Sequence, residues 1–229
     1  MNESSKRIEN NINALLKRIP IRFRHVQPFD PDISVAFFSR FVVWKNLDKN
    51  SETILDLGCY KGGAMETINV RSKKKFFRVG VDLFLPFLKQ SKKDKVYDDY
   101  VLCDARYLPF RSKTFDTVIS IEVVEHLQKD QGWKLIQEME EIACRQIIVT
   151  TPVVPGKPTP QATILTELQT HKSLWKPQEF IKLGYEVKGI LGPSFLPRYL
   201  AYGLSFVFPY FNAELSHKMI CIKRCMGKL

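Results

Sequence analysis

Residues 53–63 read TILDLGCYKGG. Thr53–Leu57 is a short strand, apolar enough to be covered on both faces, and it carries one acid, Asp56. It runs into a turn flanked by Gly58 and Gly62, and Gly62–Val70 reads as the helix that follows. Outward from this unit the pattern repeats. Phe76–Val81 is a second strand ending at Asp82, and Tyr100–Cys103 a third ending at Asp104. Thr117–Ile121 and Gln146–Thr150 are a fourth and a fifth. Helices are predicted over Pro86–Ser91 and Asp130–Cys144, the second with Trp133, Leu135, Ile136 and Met139 available to pack. Such alternation with short connections predicts an α/β fold: a mostly parallel sheet with helices on both faces.

The flanks differ. Ile8, Ile12, Leu15, Leu16 and Ile19 have helical spacing, and a second helix is expected after Pro31, with Val35, Phe38, Phe41, Val42 and Trp44 inward. Residues 1–50 therefore read as an N-terminal helical cap on a core spanning 51–229. Pro152, Pro155, Pro158 and Pro160 open an extended loop over 152–175. Beyond it, Lys176–Lys182 is a helix, and Tyr185–Ile190 and His217–Ile222 are strands. Between those strands lies an apolar insert, 195–211, which either packs over the sheet or lies exposed against a greasy substrate or a membrane surface.

At 229 residues and 45% hydrophobic, the chain fits one α/β domain with a full core. The N-terminus lacks the apolar core of a signal peptide, and no apolar run is long enough for a confident membrane span. The expectation is a cytoplasmic protein, one able to rest peripherally on a membrane. Of the five cysteines, Cys59, Cys103, Cys144 and Cys221 lie in or beside apolar segments, which predicts reduced thiols. The formal net charge is +11, with an excess of lysine and arginine between Arg71 and Lys95. That excess is either a solvated surface or an attraction for RNA or an anionic lipid surface. The oligomeric state is not legible.

Ligands of open parallel sheets bind beyond the carboxyl ends of the strands. Three acids stand at successive strand ends here: Asp56, Asp82 and Asp104. Asp82 can accept hydrogen bonds from two ribose hydroxyls, and Asp104 from an adenine amino group. A GxxxxGK[ST] phosphate loop is absent, and so is the G-x-G-x-x-G of nicotinamide enzymes.

ILDLGCYKGG, VGVDLF and CDARYLPFRSKTFDTVISIEVVEHL together resemble the successive motifs of class I S-adenosylmethionine (SAM)-dependent methyltransferases, over roughly Thr53 to Thr151. The resemblance implies a Rossmann-like sheet of seven strands with the last antiparallel. It implies that Gly58 approaches the amino-acid moiety of SAM, that Asp82 binds ribose, that Asp104 and Ala105 lie at the adenine, and that Ile121 lies near the methionine portion. One position departs from the family's D-x-G-x-G-x-G: Tyr60 replaces the middle glycine. Its side chain either points away or partly covers the cofactor.

Glu122, Glu125 and His126 follow the fourth strand and can converge on one helical turn. Two carboxylates and an imidazole suit a divalent metal, with His171 of HKSLW as a fourth donor. This set resembles both the E-x-x-E-H of ubiquinone-pathway O-methyltransferases and the metal quartet of small-RNA 2′-O-methyltransferases. The other reading is that the same residues orient loops by hydrogen bonds without a metal. The expected activity is SAM-dependent O-methylation of a small or lipid-like acceptor. The alternatives are metal-assisted methylation of an RNA ribose and a non-catalytic SAM-binding scaffold of the same fold. No N-P-P-Y-like tetrapeptide follows the fourth strand, which weighs against methylation of base amino groups.

Overall fold

The computed structural model describes residues 31–153, 167–196, 200, 201, 204, 205, 208 and 210–225, with side chains from Phe38 onward. The helix expected over residues 8–19, the inward Val35 side chain and Pro155, Pro158 and Pro160 lie outside what is described. The chain divides into compact units of 1–37 and 38–229, and the sheet belongs to the second.

In chain order the elements are α1 (Pro31–Asn46), β1 (Thr53–Leu57), α2 (Gly63–Arg71), β2 (Phe77–Asp82), α3 (Leu85–Lys93), β3 (Asp99–Leu102), β4 (Phe115–Ile121), α4 (Lys129–Ile142), β5 (Ala143–Pro152), α5 (Pro177–Lys182), β6 (Glu186–Pro193) and β7 (Ser216–Arg224). A single 3-10 turn, Val124–His126, separates β4 from α4.

The seven strands form one sheet in the order β3-β2-β1-β4-β5-β7-β6. β1 pairs in parallel with β2 on one side and β4 on the other, and only β7 runs antiparallel to its neighbours. Strand order therefore reverses between β1 and β4, which opens a crevice beyond their carboxyl ends. The buried centre follows from composition. Ile54, Leu55 and Leu57 of β1, Val118 and Ile119 of β4, and Ile147, Ile148 and Val149 of β5 have no exposed side, as strands covered on both faces require.

α4 shows the helical period directly. Leu135, Ile136, Met139 and Ile142 are buried, at spacings of one, three and three. Each such burial stabilises the fold by roughly 1.5–3 kcal/mol. The helix starts at a reciprocal cap between Gln128 and Gln131. α1 adds Phe38, Val42 and Val43 to the core, while Phe41 and Trp44 are half-buried and receive Arg71 over their rings. All five cysteines are free thiols, Cys59 and Cys221 buried.

The apolar insert has both buried and exposed positions among its described residues. It is helical at 200–201 and 204–205. Ala201 and Ser205 are buried, and a Cβ on Gly192 of β6 would overlap the Ala201 backbone. Leu200, Leu204 and Phe208, each four residues apart, are exposed, as is Phe195. Phe211 closes the insert onto the sheet edge by exchanging two hydrogen bonds with Gly189.

Candidate functional site

The β1 turn builds the first wall of the crevice. Gly58 and Gly62 have φ of +67° and +89°, and Tyr60 between them has +51°. Tyr60 thus keeps the left-handed backbone of the glycine it replaces, at a cost of about 1–2 kcal/mol. Its ring packs on Phe87, 4.1 Å between centroids, with the Lys61 ammonium over both rings. The Tyr60 side chain is thus turned onto α3. Gly58 has no room for a Cβ, which would overlap a methyl of Val123.

Asp82 closes the turn. Its two carboxylate oxygens accept from the backbone N–H groups of Tyr60 and Phe84, each at 2.8 Å. A carboxylate keeps acceptor capacity beyond these two donors. Burial raises its pKa, and the backbone donors pull it back. Leu83 beside it is exposed, an uncovered apolar shelf.

Asp56 has a different surrounding. It is fully buried and accepts from the Tyr97 hydroxyl at 2.6 Å. Burial pushes its carboxyl up to about 7, tempered by that hydrogen bond. Asp104 is held by Arg106: the guanidinium spans both carboxylate oxygens at 2.5–3.0 Å, and the Arg106 N–H adds a third donor. This pairing keeps the Asp104 carboxyl below its ordinary range. Any further donor to Asp104 has to share it with this arginine. Ala105 and Ile121 are half-buried at the ends of the loop and of β4.

Arg40 of α1 gave no sequence signal beyond one charge among Phe38, Ser39, Phe41 and Val42. Its guanidinium lies against Gly63, whose Cβ would overlap it, at the start of α2. Burial lowers its pKa, while Glu66, Tyr97, Asp56 and Tyr60 favour its charge. No hydrogen bond or ion pair engages it among the described residues. A half-buried cation at the N-terminal end of a helix suits an anionic group.

The second half of the site stands on the 3-10 turn after β4. One oxygen or nitrogen each from Glu125, His126 and His171 lie within 4.8 Å of one another. Glu125 is 1% exposed. Its Oε2 accepts from Thr151 at 3.0 Å, while its Oε1 is buried with no partner. Burial first, then Glu122, raises its pKa well above the carboxylate range. The His126 Nδ1 faces the Thr170 carbonyl at 3.3 Å, which makes it the protonated nitrogen and leaves Nε2 as a free lone pair. Burial lowers the pKa of both histidines, which favours the neutral ring that a metal ligand needs. Their rings meet edge to face at 5.1 Å.

His171 reaches this turn because its loop is stitched there. The Lys172 and Ser173 N–H groups donate to the Glu125 carbonyl at 2.7 and 3.1 Å, and Ser173 Oγ donates to the Val124 carbonyl at 3.1 Å. Trp175 is fully buried, donates to Ser173 Oγ at 3.0 Å, and lies 3.6 Å beneath the Lys129 ammonium. A Cβ on Gly132 of α4 would overlap that indole.

Glu122 does not join the cluster. It sits at φ +57°, accepts from Thr150 Oγ1 at 2.9 Å, and is ion-paired with Lys218 of β7. Of the four donors expected from sequence, three converge and one is already paired.

A donor set for one ion has opposite ligands about 4 Å apart, from bonds of about 2.1 Å. The donor atoms of the observed cluster lie within 4.8 Å of one another, close to that spacing. The orphaned Glu125 oxygen and the two imidazoles are donor types that suit a divalent ion of the first transition row.

The comparisons follow the same lines. A family model described as a methyltransferase domain matches residues 55–145. That span holds the glycine turn, Asp82, Asp104 and the Glu122–His126 segment. Over these residues the chain is similar to a methyltransferase domain. A human relative, the mitochondrial arginine-hydroxylase NDUFAF5, is 35% identical over 75 residues, 33% of this chain and 21% of that protein. The chain thus matches about a fifth of that relative's length. The SAM-dependent methyltransferase from Archaeoglobus fulgidus superposes with a TM-score of 0.56 at 16% identity, covering 86% of this chain and 95% of that one. The small RNA methyltransferase HEN1 superposes at 0.58 and 17% identity, over 87% of this chain and 26% of that one. The methyltransferase fold expected from the motifs is therefore the fold observed, including the antiparallel β7.

Proposed function

We propose that this methyltransferase domain binds SAM and transfers its methyl group to a hydroxyl of a small, lipid-like acceptor. The observation that carries the transfer chemistry is the convergence of Glu125, His126 and His171 beyond β4, beside the crevice that Asp82 and the glycine turn form. SAM supplies an electrophilic sulfonium methyl; the protein aligns the nucleophile and excludes water. Asp82 takes the ribose hydroxyls on its remaining acceptor capacity. Arg40 meets the methionine carboxylate at the start of α2. Ile121 and Val123 wall the methionine side, and Asp104 with Ala105 borders the adenine.

Glu125, His126 and His171 would hold a divalent metal, which would supply Lewis-acid activation of an acceptor hydroxyl near neutral pH. Glu125 supplies the negative charge, Thr151 and the Lys172–Ser173 backbone fix its position, and Thr170 fixes the His126 tautomer. The exposed Leu200–Leu204–Phe208 stripe favours an apolar acceptor, or an approach from a lipid surface. Among the described residues no helix is long and apolar enough to cross a membrane.

A second reading is methylation of an RNA ribose. It is favoured by the fold shared with HEN1, by the donor set, and by the net charge of +11. Methyl transfer from labelled SAM to catechol-type quinols with isoprenoid tails, and to the 3′ end of short RNA, separates the two. Labelled quinol that disappears with chelator supports the first reading, and labelled RNA supports the second. SAM binding with no transfer to either acceptor leaves the non-catalytic scaffold. No SAM binding removes all three.

A further inference from the structure

The two carboxylates beyond β4 are not equivalent. Glu122 has both oxygens engaged, Oε1 by Thr150 and Oε2 by Lys218, and its backbone is fixed by its N–H donating to the Thr150 carbonyl at 2.9 Å. Glu125 has one oxygen engaged and one buried and open. Lys218 sits on β7, opposite Pro152 of β5 and Ile190 of β6, so the strand delivers its side chain to the same end of the sheet. Its ammonium is electrostatically linked to Glu125 and His171 as well as to Glu122. The side chain is four-fifths buried, in a strand otherwise apolar through Met219, Ile220, Cys221 and Ile222.

We infer that Lys218 is a built-in counter-cation that holds Glu122 out of the metal set. The ion then has three protein ligands, Glu125, His126 and His171, and its remaining positions are left for acceptor oxygens. The inference rests on the metal reading above. Its physical basis is charge balance. Lys218 cancels Glu122, which leaves only the charge of Glu125 to meet a divalent ion, and an ionised acceptor oxygen then balances the set. With Glu122 as a fourth ligand the site would be more negative, would bind the ion more tightly, and would have fewer open positions. Lys218 and Glu122 are positioning residues in this account, and neither touches the ion.

The test is metal binding, read without turnover. Co²⁺ is titrated into the metal-free full chain and followed by calorimetry and by its visible absorption. Lys218→Met keeps an unbranched side chain of similar length in β7 and frees Glu122. It is expected to bind Co²⁺ at least tenfold tighter than the wild type, with an altered absorption band from the added ligand. Glu122→Gln on top of Lys218→Met is expected to return the affinity to within threefold of the wild type. Wild-type binding with no tightening in Lys218→Met, or in Lys218→Gln should the methionine variant fail to fold, overturns the inference and leaves the metal reading standing. Absence of Co²⁺ binding by both wild type and Lys218→Met overturns the two together. Loss of binding in Glu125→Gln confirms the site being read.

Discussion

Replacing Gly132 by alanine tests how His171 is held. Two effects oppose each other. Alanine inside a helix is favoured over glycine by about 1 kcal/mol. Against this, the new methyl would overlap Trp175 Cζ2 and lie 3.1 Å from Cη2, with the Val124 carbonyl at 3.4 Å on the other side. The indole cannot give way cheaply. It is fully buried, packed against Trp133 and Phe180, covered by Lys129 and tied to Ser173. Overpacking of such a site costs about 1–3 kcal/mol, so after the helix gain of about 1 kcal/mol Gly132→Ala is expected to destabilise by up to about 2 kcal/mol net. At this chain length that lowers the melting temperature by up to roughly 8 °C. The larger effect is local. A displaced Trp175 drags Ser173 from Val124 and the 172–173 backbone from Glu125, and His171 leaves His126. Co²⁺ affinity is therefore expected to fall at least tenfold, with the fold intact by circular dichroism. A variant as stable as the wild type with unchanged Co²⁺ binding would refute the idea that Trp175 positions the loop.

Three further outcomes follow from the crevice. Asp82→Asn keeps only one acceptor oxygen where Tyr60, Phe84 and a ribose diol all need one, so SAM affinity by calorimetry is expected to fall ten- to a hundredfold; unchanged affinity removes the ribose assignment. Asp56 has a folded-state pKa of about 7, raised above the unfolded carboxyl by burial; its stabilising effect is full below about pH 4 and is lost as pH rises through 7. Thermal scans from pH 5 to pH 8 should show the wild type losing more stability than Asp56→Asn, and parallel curves would refute the burial argument. Tyr60→Gly relieves a left-handed backbone but gives up the Phe87 stack, worth about 0.5–1.5 kcal/mol; the two nearly cancel, and urea titration should find a change within about 1 kcal/mol.

Much of the fold was legible because β1, β4 and β5 are buried on both faces, and such strands read as apolar runs whatever surrounds them. The glycine turn and the strand-end acids Asp56, Asp82 and Asp104 were equally local, since each is fixed by the few residues around it. Strand limits shifted by one to three residues, as at Phe115 and Pro152, where pairing with a neighbour extends a strand past its apolar stretch.

The site was legible only in part. Glu125, His126 and His171 were recognisable by type, but 45 residues separate His126 from His171, and the stitching by Ser173 and Trp175 brings them together. Arg40, Tyr97 and Lys218 carried no signal, because each gains meaning from a partner distant in sequence: Gly63, Asp56 and Glu122. Whether Glu122 faces an ion or a lysine depends on β7 returning antiparallel beside β5. Spacing along the chain records which groups one turn can present. Which of their oxygens stay open depends on charges and donors that only the packed sheet delivers.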